Sequence, residues 1–220
     1  MHPQPENDDY TYPSRTDFAA ARLREAIIYG DLEPGSRLTT TSLAKRWSVS
    51  QTPLREAFQR LAAAGLVELT DQKGARVSPI RQEELVEIFR LRVLLEPIAL
   101  SRSMALADDE WRAHITANHR ALSTLLKAGL KDKRQFDQCH HEFHTSLLGG
   151  CDWQWLLRIL AMLTDNSRRY RMLSLAPRGG PRKLLAEHDE LFKACIAGDV
   201  DKATAVLVEH LELTVQVLAD

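Results

Sequence analysis

The sequence predicts a mainly α protein in two parts, an N-terminal winged helix-turn-helix followed by an all-helical bundle of about six helices. Three observations predict it. From about residue 15 to 79, three short amphipathic segments precede two strand-like runs around a polar turn. From Arg81 onward the apolar residues recur at helical spacing only. The chief breaks in that second part are Gly149-Gly150 and the stretch from Pro177 to Pro181, the latter a candidate mobile loop.

Each element has its own signal. Met1 to Pro13 is acidic, carries three prolines and lacks the apolar core of a signal peptide, so residues 1–14 read as a flexible arm. Thr16 can cap a first helix with Ala19, Leu23, Ala26 and Ile27 inward, closed by Gly30. Leu32-Glu33-Pro34-Gly35-Ser36 is a turn. A short helix from about Thr41 to Trp47 follows, with Leu43, Ala44 and Trp47 at helical spacing. Ser50 then caps a third helix that turns Leu54, Ala57, Phe58 and Leu61 inward and stops near Gly65, leaving Gln51, Thr52, Arg55 and Gln59 for solvent. Leu66 to Leu69 and Ala75 to Ser78 are strands joined by Asp71-Gln72-Lys73-Gly74, and Pro79 ends this wing. Helices are expected at roughly 81–107, 109–128, 132–148, 152–175, 181–197 and 199–218.

Composition excludes some classes. With 44% hydrophobic and 27% charged residues over 220 positions, the chain can bury a core in each part. No stretch reaches the 18 or so uncharged apolar residues of a membrane span, and the best candidate, Leu156 to Leu163, contains Arg158. Three widely spaced cysteines, Cys139, Cys151 and Cys195, fit reduced thiols in a cytoplasm. A net charge of −1 argues against a non-specific polyanion binder. Between Arg15 and Arg60, however, eight Lys/Arg face five Asp/Glu, a modest basic patch compatible with phosphate contacts.

Four histidines fall on apolar helical stripes. His140 and His144 are one turn apart, in register with Phe136, Phe143 and Leu147. His188 shares a stripe with Leu184, Leu185, Leu191 and Cys195, and His210 shares one with Val206, Leu213 and Val217. A buried imidazole needs a partner, which is either ordinary hydrogen bonding in a core or a metal ion. The helices of His188 and His210 are consecutive, so both can face a third helix carrying the first pair, and four neutral imidazoles suit zinc, nickel or copper better than calcium or magnesium. His141, about 100° around the helix from His140, is expected to face solvent, as are His114 and His119. Arg92 and Glu96 are spaced for an i,i+4 ion pair.

Leu32-x-Pro34-Gly35-x-x-Leu38, Leu43-Ala44, Ser50-x-Thr52-Pro53-Leu54-Arg55-Glu56-Ala57, Leu61, Gly65-Leu66-Val67 and Gly74-x-x-Val77 together resemble the winged helix of GntR-type bacterial regulators. Arg92-x-x-x-Glu96, Phe143-His144, Glu187-His188, Ala194 with Gly198-Asp199, and Ala203 through His210-Leu211 resemble FCD, the helical effector domain of the FadR subgroup. The resemblance implies a DNA-binding domain at 15–79 and a ligand-binding and dimerisation domain at 80–220. Within the subgroup, Asp137 to Thr145, Gly150-Cys151 and Arg169-Tyr170-Arg171 look most like the glutarate-responsive repressors of carbon starvation.

What the resemblance implies can be carried residue by residue. The start of the third helix enters the major groove, so Gln51, Thr52 and Arg55 would read bases and backbone, Arg55 taking a guanine bidentately. Gln51 stands where the family commonly has arginine, which shifts the expected preference there toward adenine. Thr41 and Ser50 would hold phosphate, and Lys73, Gly74 and Arg76 of the wing would reach backbone or minor groove. The family's homodimer implies an inverted-repeat operator. His140, His144, His188 and His210 match the intervals of family members that hold a divalent metal at the bottom of the effector cavity, and the metal expected here is zinc, with nickel as the alternative. The first ligand there is most often Asp or Asn. Here it is His140, and Asp137 lies a turn too early, so the ion is expected to keep its full charge and to attract an anionic effector. Arg92 with Arg169 or Arg171 would clamp a second carboxylate, pointing to a glutarate-like dicarboxylate. Effector binding would shift the Arg81–Ala107 helix and relieve repression.

Three rivals remain at this stage. The ion itself could be the signal, as in a transition-metal sensor. A helical-bundle enzyme could use histidine-bound metal, although Glu142 and Glu187, beside the histidines, are expected to point elsewhere, and an enzyme would leave the winged helix unexplained. A long-chain acyl-coenzyme A ligand would find the polar histidines spoiling its apolar tunnel.

Overall fold

A computed structural model describes residues 12–70, 74–173 and 180–219. The chain forms two compact units that meet in sequence between Ile80 and Arg81. Most of the N-terminal arm, the wing tip with Lys73, and residues 177–179 of the anticipated loop lie outside the described residues.

The first unit contains α1 (Arg15–Ile28), β1 (Arg37–Leu38), α2 (Thr40–Trp47), α3 (Gln51–Ala63), β2 (Val67–Thr70) and β3 (Gly74–Val77). Leu23, Ile27, Leu54, Ala57, Leu61, Leu66 and Val77 form its dry centre. Two expectations need correction. The cap of α1 is Ser14, not Thr16: Ser14 is extended and its hydroxyl accepts from the Asp17 amide. Thr16 instead donates to Glu56 of α3 at 2.7 Å, and Asp17 takes Arg60 at 2.6 Å, so the polar side of this helix start ties α1 to α3. The sheet has three strands in the order β1-β3-β2, because Arg37 and Leu38 pair with Arg76 and Ala75. Two residues are too few for alternation to register in a sequence.

Between α2 and α3 the chain reverses at Ser48, whose φ of 55° is the one positive value outside glycine among the described residues. Val49 is buried behind that turn, which fixes α3 against α2.

The second unit consists of α4 (Gln82–Ala105), α5 (Asp109–Ala128), α6 (Lys133–Leu148), α7 (Gln154–Leu173), α8 (Gly180–Ala197) and α9 (Val200–Ala219), each within a few residues of its expected span. α4 packs on α9 and α7, α5 on α6 and α8, and α8 on α9. Asp108 and Asp132 cap α5 and α6 by accepting from Trp111 and from Arg134 and Gln135 amides. Gly150 allows a close approach: a Cβ there would lie 3.0 Å from the Ser103 carbonyl oxygen of α4. No helix among the described residues is long and apolar enough to cross a membrane.

Candidate metal and effector centre

Three helices of the second unit deliver the four histidines to one point. On α6 His140 and His144, one turn apart, are buried, and α8 and α9 bring His188 and His210 to them. All four are no more than 6% exposed, and each offers a nitrogen within 4.8 Å of the others.

Hydrogen bonds fix the tautomer of two rings. His188 Nδ1 lies 2.6 Å from the Leu184 carbonyl, which can only accept, so Nδ1 carries the proton and Nε2 the lone pair. His210 Nδ1 donates to Glu187 Oε2 at 3.1 Å, which likewise frees its Nε2. His188 Nε2 is 3.2 Å from His144 Nε2, while Nδ1 of both His140 and His144 is buried with no hydrogen-bond partner among the described residues. Burial, then repulsion among the rings and from nearby arginines, holds His140 and His144 well below the usual histidine range. His188 is pushed down to about 3, chiefly by burial. Neutral rings with convergent lone pairs suit a cation. Ligand nitrogens about 3.3 Å apart are what a tetrahedral ion with metal–nitrogen distances of about 2.0–2.1 Å requires, so the donor set fits a divalent metal.

A basic layer adjoins the histidines. Asp137, a turn before His140 and fully buried, accepts from Arg168 Nε at 2.8 Å and from Arg171 Nη2 at 2.8 Å. Burial alone would raise its carboxyl, but the charges of Arg171 and Arg168 outweigh that and hold it below the usual carboxylate range. Arg171 Nε is buried with no hydrogen-bond partner among the described residues. Arg92 donates from Nε to Glu96 at 2.6 Å and from Nη1 to Ser167 at 2.9 Å, so the i,i+4 pair is formed. Arg92 and Arg171 both depress His144. Arg169 reaches Asn166 at 3.4 Å and has Tyr170 and Glu84 as electrostatic neighbours, on the side of α7 toward the start of α4. Arg168 was not singled out from the sequence; its spacing of three from Arg171 was the available signal.

Other histidines depart from expectation. His141 is half-buried and held down at about 4, by burial first and then by Arg168 and Arg171, so it does not simply face solvent. His119 stacks on Phe192 with ring centroids 4.0 Å apart, its Nε2 2.8 Å from Asp189. His114 is exposed. Glu187, expected to point away, contacts His210.

In the first unit Gln51, Thr52 and Arg55 are exposed at the start of α3. Gln51 accepts from Thr40 at 3.0 Å, which steadies it against α2, and Arg55 makes no ion pair among the described residues. Thr41 is exposed on α2. Ser50 occupies the N-cap position of α3 but its exposed side chain makes no capping bond. Arg76 is paired with Glu68 at 2.7 Å, Gly74 opens β3, and Lys73 lies outside the described residues.

A winged helix-turn-helix unit joined to a helical bundle with a polar centre defines a transcriptional regulator. The chain belongs to the gntR family of bacterial regulatory proteins, whose pattern matches residues 15–77, and the FCD domain matches residues 87–213. It is 32% identical to the uncharacterized HTH-type transcriptional regulator BphR of Paraburkholderia xenovorans (strain LB400), covering 90% of this chain and 82% of that protein. It is also 32% identical to the HTH-type transcriptional repressor GlaR of Escherichia coli (strain K12), over 86% of this chain and 89% of that protein. In fold it is similar to E. coli McbR/YncC, with a TM-score of 0.81 over 94% of this chain and 98% of that one at 22% identity. BphR and GlaR are transcriptional regulators by name, and the chain, a member of the same family, is a transcriptional regulator rather than an enzyme.

Proposed function

We propose that this protein is a cytoplasmic repressor that binds an inverted-repeat operator as a homodimer and is released by a small dicarboxylate, of glutarate-like length, held at a zinc ion. The single observation that carries it is the convergence of four buried histidine nitrogens beside Arg171, whose buried Nε has no hydrogen-bond partner among the described residues. His140, His144, His188 and His210 would hold the ion, with nickel as the alternative metal. The ion supplies a fixed positive charge for one carboxylate. Arg171, with Arg92 close by, suits the second; Arg169, facing Tyr170 and Glu84, supports the clamp less well.

A second copy of the chain has a natural seat on α4 and α7. Leu91, Leu94 and Ile98 are exposed along one side of α4, and Trp155, Ile159 and Met162 along one side of α7, and the two helices pack together. Two readers related by a twofold axis would place Arg55 in successive major grooves.

Internal pairing supports one other reading. Asp137 already occupies Arg168 and Arg171, and Glu96 occupies Arg92, so the ion could act as the signal without any acid. Elemental analysis of the purified protein and its His144→Ala variant, with calorimetry of glutarate against each, tests the proposal. About one metal per chain, lost together with glutarate binding in the variant, supports it. Metal without any preference for dicarboxylates over monocarboxylates favours the metal sensor, and no metal in either protein sinks both.

A further inference from the structure

Glu187 and His188 are chain neighbours on α8, so their side chains leave the helix about 100° apart. His188 turns Nε2 toward His144 of α6, while Glu187 reaches across to α9 and accepts from His210 Nδ1. We propose that Glu187 is a positioning residue of the metal centre, holding His210 in the tautomer that presents Nε2 to the ion and supplying the negative charge that four imidazoles lack. This rests on the reading of the histidine cluster as a metal site.

The distribution of partners singles out Glu187. His188 is held by a neutral carbonyl, and Nδ1 of His140 and of His144 has no partner among the described residues, so the charged contact seen there falls on His210. Asp137, the carboxylate a turn before His140, is taken by Arg168 and Arg171. Glu187's side chain is only 17% exposed, where a charge acts through less water than at the surface. A carboxylate on the far nitrogen of a metal-bound histidine fixes the ring and raises its basicity. The expectation that the ion keeps its full charge is thereby revised: with Glu187 the centre carries about one net positive charge. One effector carboxylate then neutralises it, and the other is left for an arginine.

The test uses full-length protein and zinc alone, titrated against a chromophoric chelator. Glu187→Gln keeps an acceptor of the same size and removes the charge. Its zinc affinity should fall about 10- to 100-fold while the stoichiometry holds at one per chain. Glu187→Asp keeps the charge with a shorter reach and should fall between the two. In the cobalt-loaded protein the visible ligand-field bands should shift in Glu187→Gln. Asp189→Asn, two residues along the same helix and paired with His119, should bind zinc like wild type. Wild-type zinc affinity in both Glu187 variants, with unshifted cobalt bands, overturns the proposal. Failure of the wild-type protein to bind zinc overturns the metal reading beneath it, a result distinguishable because it does not depend on any Glu187 variant.

Discussion

Arg171 on α7 donates to Asp137 on α6 at 2.8 Å, yet its own Nε is buried with no hydrogen-bond partner among the described residues. Asp137 therefore carries two guanidiniums, and removing it leaves both charges dry. Asp137→Asn should destabilise the second unit by about 3–5 kcal/mol, read from urea unfolding at neutral pH. A pH dependence follows. The carboxyl is held low in the folded state, so its stabilisation is fully present above its unfolded value of about 4 and is lost as pH falls through the lower folded value. Wild type should lose stability across that acid window more steeply than Asp137→Asn; parallel curves would remove the assignment.

The helices were legible because apolar residues recur every third or fourth position along them, and the four inward histidines were legible for the same reason. That periodicity gives the phase of a side chain around its own helix. It does not say which neighbouring helix packs there. Position along α6 sets Asp137 a turn from His140, whereas its partners come from α7. Adjacency in the chain ties Glu187 to His188, whereas its side chain contacts His210 on α9. The two-residue strand Arg37–Leu38 and the Ser14 cap fall below what a pattern of that length can carry.

Arg55 is exposed, unpaired among the described residues and one turn into α3. If it reads a guanine, Arg55→Ala should cost about 1–3 kcal/mol of operator affinity and relax the preference at one base pair in each half-site. A set of single-base operator variants measured at one salt concentration decides this. Uniform weakening at every position would make Arg55 a phosphate contact instead.

Dimerisation through the α4–α7 face predicts that charge placed there separates the subunits. Leu94 is 65% exposed and Trp155 75% exposed, so neither is needed to hold its own bundle together. Leu94→Glu should shift sedimentation toward monomer with the circular dichroism spectrum and zinc content unchanged, and operator affinity should fall with it. An undisturbed dimer would move the interface elsewhere.

Tyr170 lies between Arg169 and Arg171 on α7, and its hydroxyl is 3.0 Å from both the Arg81 carbonyl and the Glu84 carboxylate. Burial raises that hydroxyl to about 12, so it keeps its proton at any physiological pH and can always donate. The residue after it donates to Asp137, and Tyr170 itself grips the first turn of α4, which follows the wing directly in the chain. An acid that pulls on Arg171 would move the same turn of α7 that holds Arg81. Tyr170→Phe keeps the ring and removes only the hydroxyl, at a stability cost of about 0.5–1.5 kcal/mol. Zinc content and dicarboxylate affinity in the absence of DNA should stay near wild type. What should shrink is the factor by which the dicarboxylate weakens operator binding, a coupling of typically 1–3 kcal/mol in such systems. Because coupling is reciprocal, the operator should also weaken dicarboxylate binding less in the variant, so calorimetry with and without DNA checks the result independently of the gel or anisotropy assay. Equal coupling in wild type and Tyr170→Phe by both measurements would place the transmission outside this contact.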